Sequence, residues 1–464
     1  MFARLKGFSR AFWTANTVEL LERAAYYGVF IVITLYLSRI LGFSDVEAGL
    51  ISGIFSGGLY LLPTFTGALA DKIGFKYSLL IAFALLSVGY FGLAILPTVL
   101  ESAGLVDYSG DIKFTGLLES GEKWAIAPIM LIIMIGGSFI KSVITGTVAK
   151  ETTEETRAAG FSIFYMMVNI GAFSGKTIVK PLRMSMGDMG LVYINYFSAA
   201  MTALALVMII LFYKSARHEG EGKSLKAIWQ GLVKVVTNGR LLTLILIITG
   251  FWMVQHQLYA TMPKYVLRMA GEGASPSWYA NVNPLVVVLT VTYITRMMAS
   301  KTPLFSMTVG MFIMPLSAIA MASGNWFGGN EVDLGLFSMH PIALMMVIGI
   351  AFQALGEAFI SPRYLEFFSL QAPKGEEGMY LGFSHLHSFL SSILGFSLSG
   401  FLLSKYCPEP KLFETHEAWA AAASNAHYIW YYFAGIALTA AIALIVYGEV
   451  IKRLDGRGQA HLKS

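Results

Sequence analysis

The sequence has little charge and almost no cysteine. Only 13% of its 464 residues are charged, against 56% hydrophobic residues, and the one cysteine is Cys407. A single cysteine excludes an internal disulfide, and no Cys or His spacing typical of a metal site is present. A soluble domain carries about 25% charged residues, so the deficit is typical of a membrane protein with many spans. The net charge of +5 is modest, and we expect no nucleic-acid partner.

The sequence also lacks the motifs of the common enzyme classes. It contains no Ser-His-Asp set, no metal-ligand cluster and no Gly-rich phosphate loop. We therefore expect no enzymatic activity, no metal and no cofactor, with a membrane enzyme or a receptor without transport as the alternative from another functional class. The apolar run that follows Arg10 contains two glutamates and an arginine and lacks a cleavage site, which predicts a first span and not a removable signal peptide.

Apolar stretches long enough to cross a membrane recur along the whole chain. A span needs about 20 mostly apolar residues, and about twelve stretches qualify. They cover residues 11–38, 48–70, 77–98, 124–149, 158–181, 190–213, 241–268, 278–298, 303–323, 339–364, 377–404 and 426–450. This predicts an all-α membrane protein with an N-terminal six-helix bundle at 1–214, a cytoplasmic linker at 215–240 and a C-terminal six-helix bundle at 241–464. Six plus six spans about a basic linker are typical of the major facilitator fold.

The distribution of basic residues predicts that both termini are cytoplasmic. Loops on the cytoplasmic side carry an excess of Lys and Arg. The basic residues lie before the first span, in the second-to-third loop, in the linker and in the tail: Arg4, Lys6, Arg10, Lys72, Lys76, Arg217, His218, Lys223, Lys226, Lys234, Lys452, Arg453 and Arg457. The opposite loops are acidic or mixed, with Glu101, Asp107, Asp111, Glu119, Glu122, Glu331 and Asp333.

Three ionisable residues lie inside the first span. Glu19, Glu22 and Arg23 follow an i, i+3, i+4 spacing, which places them on one face of a helix. A charge at bilayer depth costs roughly 2.5 to 3.5 kcal/mol, so such a face normally points into the bundle. One interpretation is a structural or snorkelling ion pair near the helix end. The other is a proton-coupling site that lines a water-filled path.

The loop between the second and third spans resembles the loop motif of the major facilitator proteins. Gly67, Asp71, Lys72 and Gly74 combine glycines, which permit a sharp reversal and close helix approach, with an acid and a base. We expect a gating loop here, with an ordinary polar turn as the alternative. The matching place in the second half, residues 296–303, has no such pattern.

Several segments in both halves resemble the proton-coupled oligopeptide transporters, and they occur in the order of that family. Glu19-Leu-Leu-Glu22-Arg23 resembles the Glu-x-x-Glu-Arg helix of the family. The remaining matches are Gly136-Gly-Ser-Phe-Ile-Lys141, Phe161-Ser-Ile-Phe-Tyr165-Met-Met-Val-Asn169, Phe251-Trp252, Asn283-Pro284 and Gly356-Glu357-Ala-Phe-Ile-Ser-Pro362. The resemblance implies a symporter of small peptides or peptide-like solutes, which is driven by the proton gradient and works by alternating access. It also implies a monomer in the lipid bilayer of a plasma membrane, here a bacterial inner membrane.

The resemblance assigns roles to individual residues. For proton coupling it implies Glu19, Glu22, Arg23, Lys141 and Glu357, to which we add His256. For substrate binding it implies Tyr26, Tyr27, Tyr60, Lys141, Tyr165, Asn169, Asn283, Glu357 and His385. Each also has a structural alternative: Lys141 as a fixed partner of Glu22, Glu357 as a hydrogen-bond partner of a helix broken near Pro362, and the Asn, Tyr and His residues as helix-packing groups.

The sequence departs from the family at two positions. The second arginine of the family's first helix is replaced by Phe30, and the acid of its seventh helix is replaced by His256. These two groups are thought to pair in the family, and losing both avoids a lone buried charge. The loss of one cation weakens the expectation of simple di- and tripeptides as substrates. The alternative is a major facilitator transporter of a non-peptide small molecule, as an exporter or an uncoupled facilitator. Histidine itself has a pKa of about 6.5 in water, which suits a role in proton coupling.

Overall fold

A computed structural model of the chain describes residues 8–105, 121–214, 224–327, 331–335, 338–371 and 382–461. The chain divides into two compact units, Met1–Ala227 and Ile228–Ser464. Several charges used to predict the orientation lie outside the described residues, namely Arg4, Lys6, Asp107, Asp111, Glu119, Arg217, His218 and Lys223.

The first unit is built from helices. They are α1 (Arg10–Phe30), α2 (Ile33–Leu35) with a π-helical segment (Tyr36–Ile40), α3 (Asp45–Leu61), α4 (Pro63–Ile73), α5 (Phe75–Ser102), a 3-10 turn (Gly121–Ala125), α6 (Ile126–Lys150), α7 (Glu154–Met186), a 3-10 turn (Gly187–Met189) and α8 (Gly190–Phe212). A further helix, α9 (Leu225–Thr237), follows in the linker.

The described part of the second unit consists of helices and one short hairpin. Its helices are α10 (Gly239–Gln255), α11 (Gln257–Ala260), α12 (Met262–Ala270), α13 (Pro276–Tyr279), α14 (Val282–Met297), α15 (Pro303–Ser323), α16 (Pro341–Leu370), α17 (Leu386–Tyr406), a 3-10 turn (Pro410–Leu412), α18 (His416–Ala422) and α19 (Tyr428–His461). The antiparallel strands β1 (Val332–Asp333) and β2 (Ser338–Met339) pair with Val332 opposite Met339.

Within the described residues, eight helical segments are long and apolar enough to cross a membrane. The number rises to ten if each of two bent helix pairs is one span. One of the eight, Glu155–Phe212, contains both α7 and α8. The 16-residue helix α14 corresponds to the predicted stretch 278–298. Helices thus occupy each of the predicted stretches in the described parts of the chain, and the predicted all-α membrane fold is confirmed.

The breaks in two of the spans have local causes. Helices α3 and α4 meet at a bend of 45°, where Pro63 is the first residue of α4; proline lacks the N–H of a continuous helix and clashes with the preceding turn. Ser142 of α6 donates a hydrogen bond of 3.4 Å to the Pro63 carbonyl at this bend. The bend of 43° between α1 and α2 occurs at Val32, whose backbone is not helical.

The loop that we predicted to be a gate is a one-residue turn. Asp71 and Lys72 lie in the last turn of α4, and α5 begins directly after Gly74. Gly74 has a φ of 88° and a ψ of 149°, a conformation that is essentially restricted to glycine. Gly67 brings α4 close to α6, since a Cβ there would lie 3.2 Å from the Ser142 hydroxyl oxygen. The spacing of the motif is therefore explained by one tight turn and one close helix contact.

Helices α1 and α7 also approach each other closely through glycine. A Cβ on Gly171 or Gly175 would collide with the backbone of α1 at Leu20 or Ala24. Small residues at such crossings let membrane helices pack backbone to backbone. This contact fixes the rotation of α1 in the part of the helix that carries its ionisable residues.

Candidate functional site: a charged cavity in the first unit

One cavity of the first unit brings most of the predicted site residues of that half together. Its volume is about 280 Å³, and α1, α3, α5, α6 and α7 contribute to its wall. The predicted residues that line it are Glu19, Glu22, Arg23, Tyr26, Tyr27, Tyr60, Lys141 and Tyr165. Leu59, Leu86, Tyr90, Ile133, Gly137, Thr145, Phe164 and Val168 complete the lining.

The three ionisable groups of α1 form one ion-paired cluster. Arg23 Nε lies 3.2 Å from Glu19 Oε1, and a terminal guanidinium nitrogen of Arg23 contacts Glu22 Oε2. Glu19 and Glu22 are only 3% and 2% exposed. The other carboxylate oxygen of Glu19, Oε2, has no hydrogen-bond partner within the described part of the chain. One arginine therefore holds two buried carboxylates, and one carboxylate oxygen remains able to take a proton.

Lys141 lines the same cavity but does not join this cluster. Its side chain is exposed, and among the described residues it makes no hydrogen bond or ion pair through its amino group. The fixed ion pair with Glu22 that we considered from the sequence is not formed in this structure, because Arg23 binds both carboxylates. Lys141 is thus a cation that can bind a further anionic group inside the cavity.

Tyrosines form the less polar wall. Tyr26 lies beneath the Arg23 guanidinium, with its ring centroid 5.4 Å away, and the Tyr26 and Tyr27 rings meet edge to face at 5.1 Å. Phe30, which replaces the second arginine of the related family, stacks on Tyr26 at 5.0 Å. Phe30 is itself buried against Phe55 at 6.5 Å. An aromatic stack thus occupies the position where a second cation was expected.

The second unit contains a separate carboxylate cluster. Gln255 Nε2 and Asn283 Nδ2 donate to the same oxygen of Glu357, over 2.9 Å and 3.2 Å. Gln255 ends α10, Asn283 lies in the first turn of α14, and Glu357 lies in the middle of α16. Helix α16 continues through Pro362, so the alternative in which Glu357 caps a helix broken there is wrong.

His256 and His385 belong to a histidine and tryptophan cluster in the same unit. His256 is buried, and its Nδ1 lies 3.4 Å from the Ser391 hydroxyl. Trp252 lies near both His256 and His387, with ring centroids 6.1 Å and 5.5 Å apart, and His385 lies 6.2 Å from His387. His387 is held by the Ser384 carbonyl at 2.6 Å.

The predicted residue Asn169 lies apart from these clusters. Two residues that contact predicted site residues, Gln255 and Lys176, were not predicted. Asn169 donates to the Tyr165 carbonyl over 2.7 Å and does not line the cavity. Gln255 was not predicted, because its hydrogen bond to Glu357 connects two helices that are far apart in the sequence. Lys176 is 1% exposed and lies 5.1 Å from the Tyr27 ring centroid. Like Lys141, it is a lysine inside a predicted apolar span, here together with Lys180.

The sequence of residues 17–331 matches the family model of the Major Facilitator Superfamily. The chain belongs to the major facilitator superfamily. The match covers more than half of the chain, with most of the first unit and part of the second, and the predicted fold is confirmed.

This major facilitator protein has relatives of two kinds. It is 26% identical over 451 aligned positions to the dipeptide and tripeptide permease B of Shigella dysenteriae serotype 1, covering 85% of this chain and 86% of that protein. It is 23% identical over 385 positions to the multidrug resistance protein MdtH of Photorhabdus laumondii subsp. laumondii, with coverage of 83% and 84%.

Solved structures of peptide transporters share the fold of this major facilitator protein. The crystal structure of the peptide transporter POT in complex with sulfate superposes with a TM-score of 0.72 at 20% identity, over 96% of this chain and 95% of that one. The resemblance to the proton-coupled oligopeptide transporters is confirmed, and the low identity marks this chain as a divergent relative.

Proposed function

We propose that this protein is a proton-coupled symporter of small peptides or peptide-like solutes that works by alternating access. The observation that carries the proposal is the cavity in which Arg23 holds two buried carboxylates, while Lys141 forms no ion pair with any residue that the structure describes. A relative named as a dipeptide and tripeptide permease and a structural neighbour named as a peptide transporter support it.

The charges in the cavity couple a proton to an anionic substrate group. With Glu19 and Glu22 ionised, their two negative charges balance those of Arg23 and Lys141. A proton on either carboxyl leaves one positive charge in excess, and a charge at bilayer depth favours a partner. A carboxylate at Lys141 supplies that partner through a charge-assisted hydrogen bond. Proton and substrate therefore favour one another's binding, and this coupling is reciprocal.

The carboxylate of the second unit provides the complementary chemistry. Glu357 is held by two amide donors on one oxygen, so it presents a fixed acceptor to an amino group. A short peptide carries one free amine and one free carboxylate. We propose Glu357 as a partner of the amine within the second unit and Lys141 as a partner of the carboxylate within the first. The further substrate contacts that we propose are Tyr26, Tyr27, Tyr60, Tyr165 and Asn169 in the first unit, and Asn283 and His385 in the second.

A specific observation favours a second candidate function, the transport of a non-peptide small molecule. The Tyr26–Phe30 stack removes a cation that would hold a peptide C-terminus, and one relative is named as a multidrug resistance protein. An uncoupled facilitator or an exporter belongs to this second candidate.

The proposed function also includes a location, a topology and an oligomeric state for the protein. The spans make it a multi-pass membrane protein; we propose a bacterial inner membrane, cytoplasmic termini, a monomeric state and no cofactor besides the proton gradient. We also propose that the Gly67–Gly74 turn, with Asp71 and Lys72, is a gating element. We also propose domain limits at residues 214 and 241, on either side of the linker. The two compact units of the structure meet between Ala227 and Ile228.

A ligand screen followed by uptake tests the proposal. Purified full-length protein is heated in detergent with dipeptides, tripeptides, single amino acids and non-peptide drugs, because a ligand at about 100 times its Kd stabilises the native state by about 2.7 kcal/mol. Any stabilising compound is then offered to proteoliposomes with an inward proton gradient. Uptake of a peptide that rises with the gradient supports the symporter. If only a non-peptide compound binds and is transported, the second candidate replaces it.

A further inference from the structure

A long groove between α10 and α19 of the second unit is separate from the sites described above. It consists of two cavities of about 820 and 890 Å³. Both cavities are lined by Thr243, Ile247 and Ala443, so they form one continuous groove. Along α19 it extends from Tyr428 to Leu454, which is about 40 Å at 1.5 Å per residue. That length matches the full thickness of a bilayer, about 40–45 Å.

The middle of the groove is apolar and open. Leu246, Val446 and Val450 line it and are 55%, 56% and 48% exposed. Small residues from both helices keep it deep: a Cβ on Gly435, which lines the groove, would meet nothing within 4 Å.

The two ends of the groove differ in chemistry. Tyr428, Tyr431 and Tyr432 line one end, as aromatic belts do at a membrane interface. Arg240 lines the other end, and Lys452 and Arg453 are exposed next to the lining residue Leu454. Among the described residues that line the two cavities, none is Asp or Glu.

We propose that this groove binds an anionic phospholipid, with an acyl chain along α10 and α19 and the headgroup phosphate at Arg240. Guanidinium binds phosphate oxygens in bidentate fashion, and basic pockets between membrane helices on the cytoplasmic side are suited to anionic headgroups. The basic end is the one that the distribution of Lys and Arg assigns to the cytoplasm. A free phosphate would use Arg240 but leave the apolar groove empty. A second copy of the chain would fill the groove but place Arg240 against apolar surface.

Native mass spectrometry of the full-length protein tests the proposal. The protein is reconstituted in equal amounts of dioleoylphosphatidylglycerol and dioleoylphosphatidylcholine, extracted in mild detergent, and its retained lipids are counted. We expect preferential retention of phosphatidylglycerol. Arg240→Gln should weaken this retention about fivefold, the effect of one basic residue at an anionic surface. Gly435→Leu adds a side chain at a groove position where a Cβ would meet no atom within 4 Å, and it should weaken retention of the lipid by at least as much.

Two variants serve as matched controls. Lys234→Gln removes an exposed cation of α9, and Ile442→Phe adds bulk at an exposed α19 position that does not line the groove. Both should retain phosphatidylglycerol as the unmodified protein does. Equal retention in all variants, or equal retention of both lipids, overturns the proposal. So does a lipid-independent dimer that Gly435→Leu abolishes, because the occupant would then be a second copy. Thermal stabilisation by inorganic phosphate that Arg240→Gln abolishes, without lipid selectivity, would also overturn it.

Discussion

Replacing Glu22 by Gln should separate proton coupling from substrate binding. The amide keeps the size of the side chain and is always neutral, as Glu22 is when it is protonated. Arg23 is not left unpaired, because Glu19 Oε1 remains 3.2 Å from its Nε. The variant therefore avoids the roughly 3–5 kcal/mol that an uncompensated buried charge costs. We expect a folded protein whose cavity carries one excess positive charge as long as Glu19 is ionised and Lys141 is protonated.

The magnitude of the effect follows from the driving force. In proteoliposomes with the membrane potential clamped at zero, a gradient of about one pH unit supplies about 1.4 kcal/mol per proton. A symporter that carries one proton then accumulates its substrate up to about tenfold. In Glu22→Gln the accumulation should fall to the equilibrium ratio of one. Counterflow exchange between substrate pools of equal pH should persist, because exchange needs binding but no net proton movement.

Uphill uptake in Glu22→Gln at the unmodified level would refute this coupling scheme. Loss of both uptake and counterflow would show instead that Glu22 is needed for binding or folding, and the melting temperature in detergent separates these two outcomes. Glu272→Gln is the matched control, since Glu272 is an exposed carboxylate of the loop between α12 and α13; it should accumulate substrate normally.

Three further predictions concern other parts of the structure. Lys141→Gln should weaken the binding of substrates that bear a free carboxylate about tenfold or more, as the loss of a charge-assisted hydrogen bond does, and leave binding of their amidated analogues unchanged in competition assays. Gln255→Leu removes one donor from Glu357, and we expect the KM of amine-bearing substrates to rise about tenfold while N-acetylated analogues are unaffected. Gly74→Val forces a β-branched residue into a glycine conformation at a cost of about 1–3 kcal/mol, so the melting temperature in detergent should fall, whereas Gly121→Ala, where a Cβ meets no atom within 4 Å, should leave it unchanged.

The sequence predicted what depends on spacing within one helix. The positions of Glu19, Glu22 and Arg23 require a shared helix face, and the structure has them on one face. The break at Pro63 and the turn at Gly74 are likewise local, since proline and glycine impose their own backbone geometry.

What the sequence could not predict depends on contacts between helices. That Arg23 takes both carboxylates and leaves Lys141 unpaired depends on the rotation of α1 against α6, which a periodicity does not specify. The amide donors of Glu357 come from α10 and α14, more than 70 residues away in the chain. The helix α9 was not predicted, because the linker was interpreted from its basic composition. Its apolar residues Trp229, Val233 and Val236 nevertheless recur at helical spacing.

The two departures from the related family have different structural consequences. Phe30 is buried in an aromatic stack, so its site can no longer take part in ion pairing. His256 keeps a titratable ring, which contacts the Ser391 hydroxyl and the Trp252 ring. A buried pair that loses both members avoids a stranded charge, and these replacements satisfy that condition when His256 is neutral. We propose that Glu19 and Glu22 carry the proton coupling, because both carboxylates contact Arg23 and a proton on either one leaves an excess positive charge that an anionic substrate group can balance.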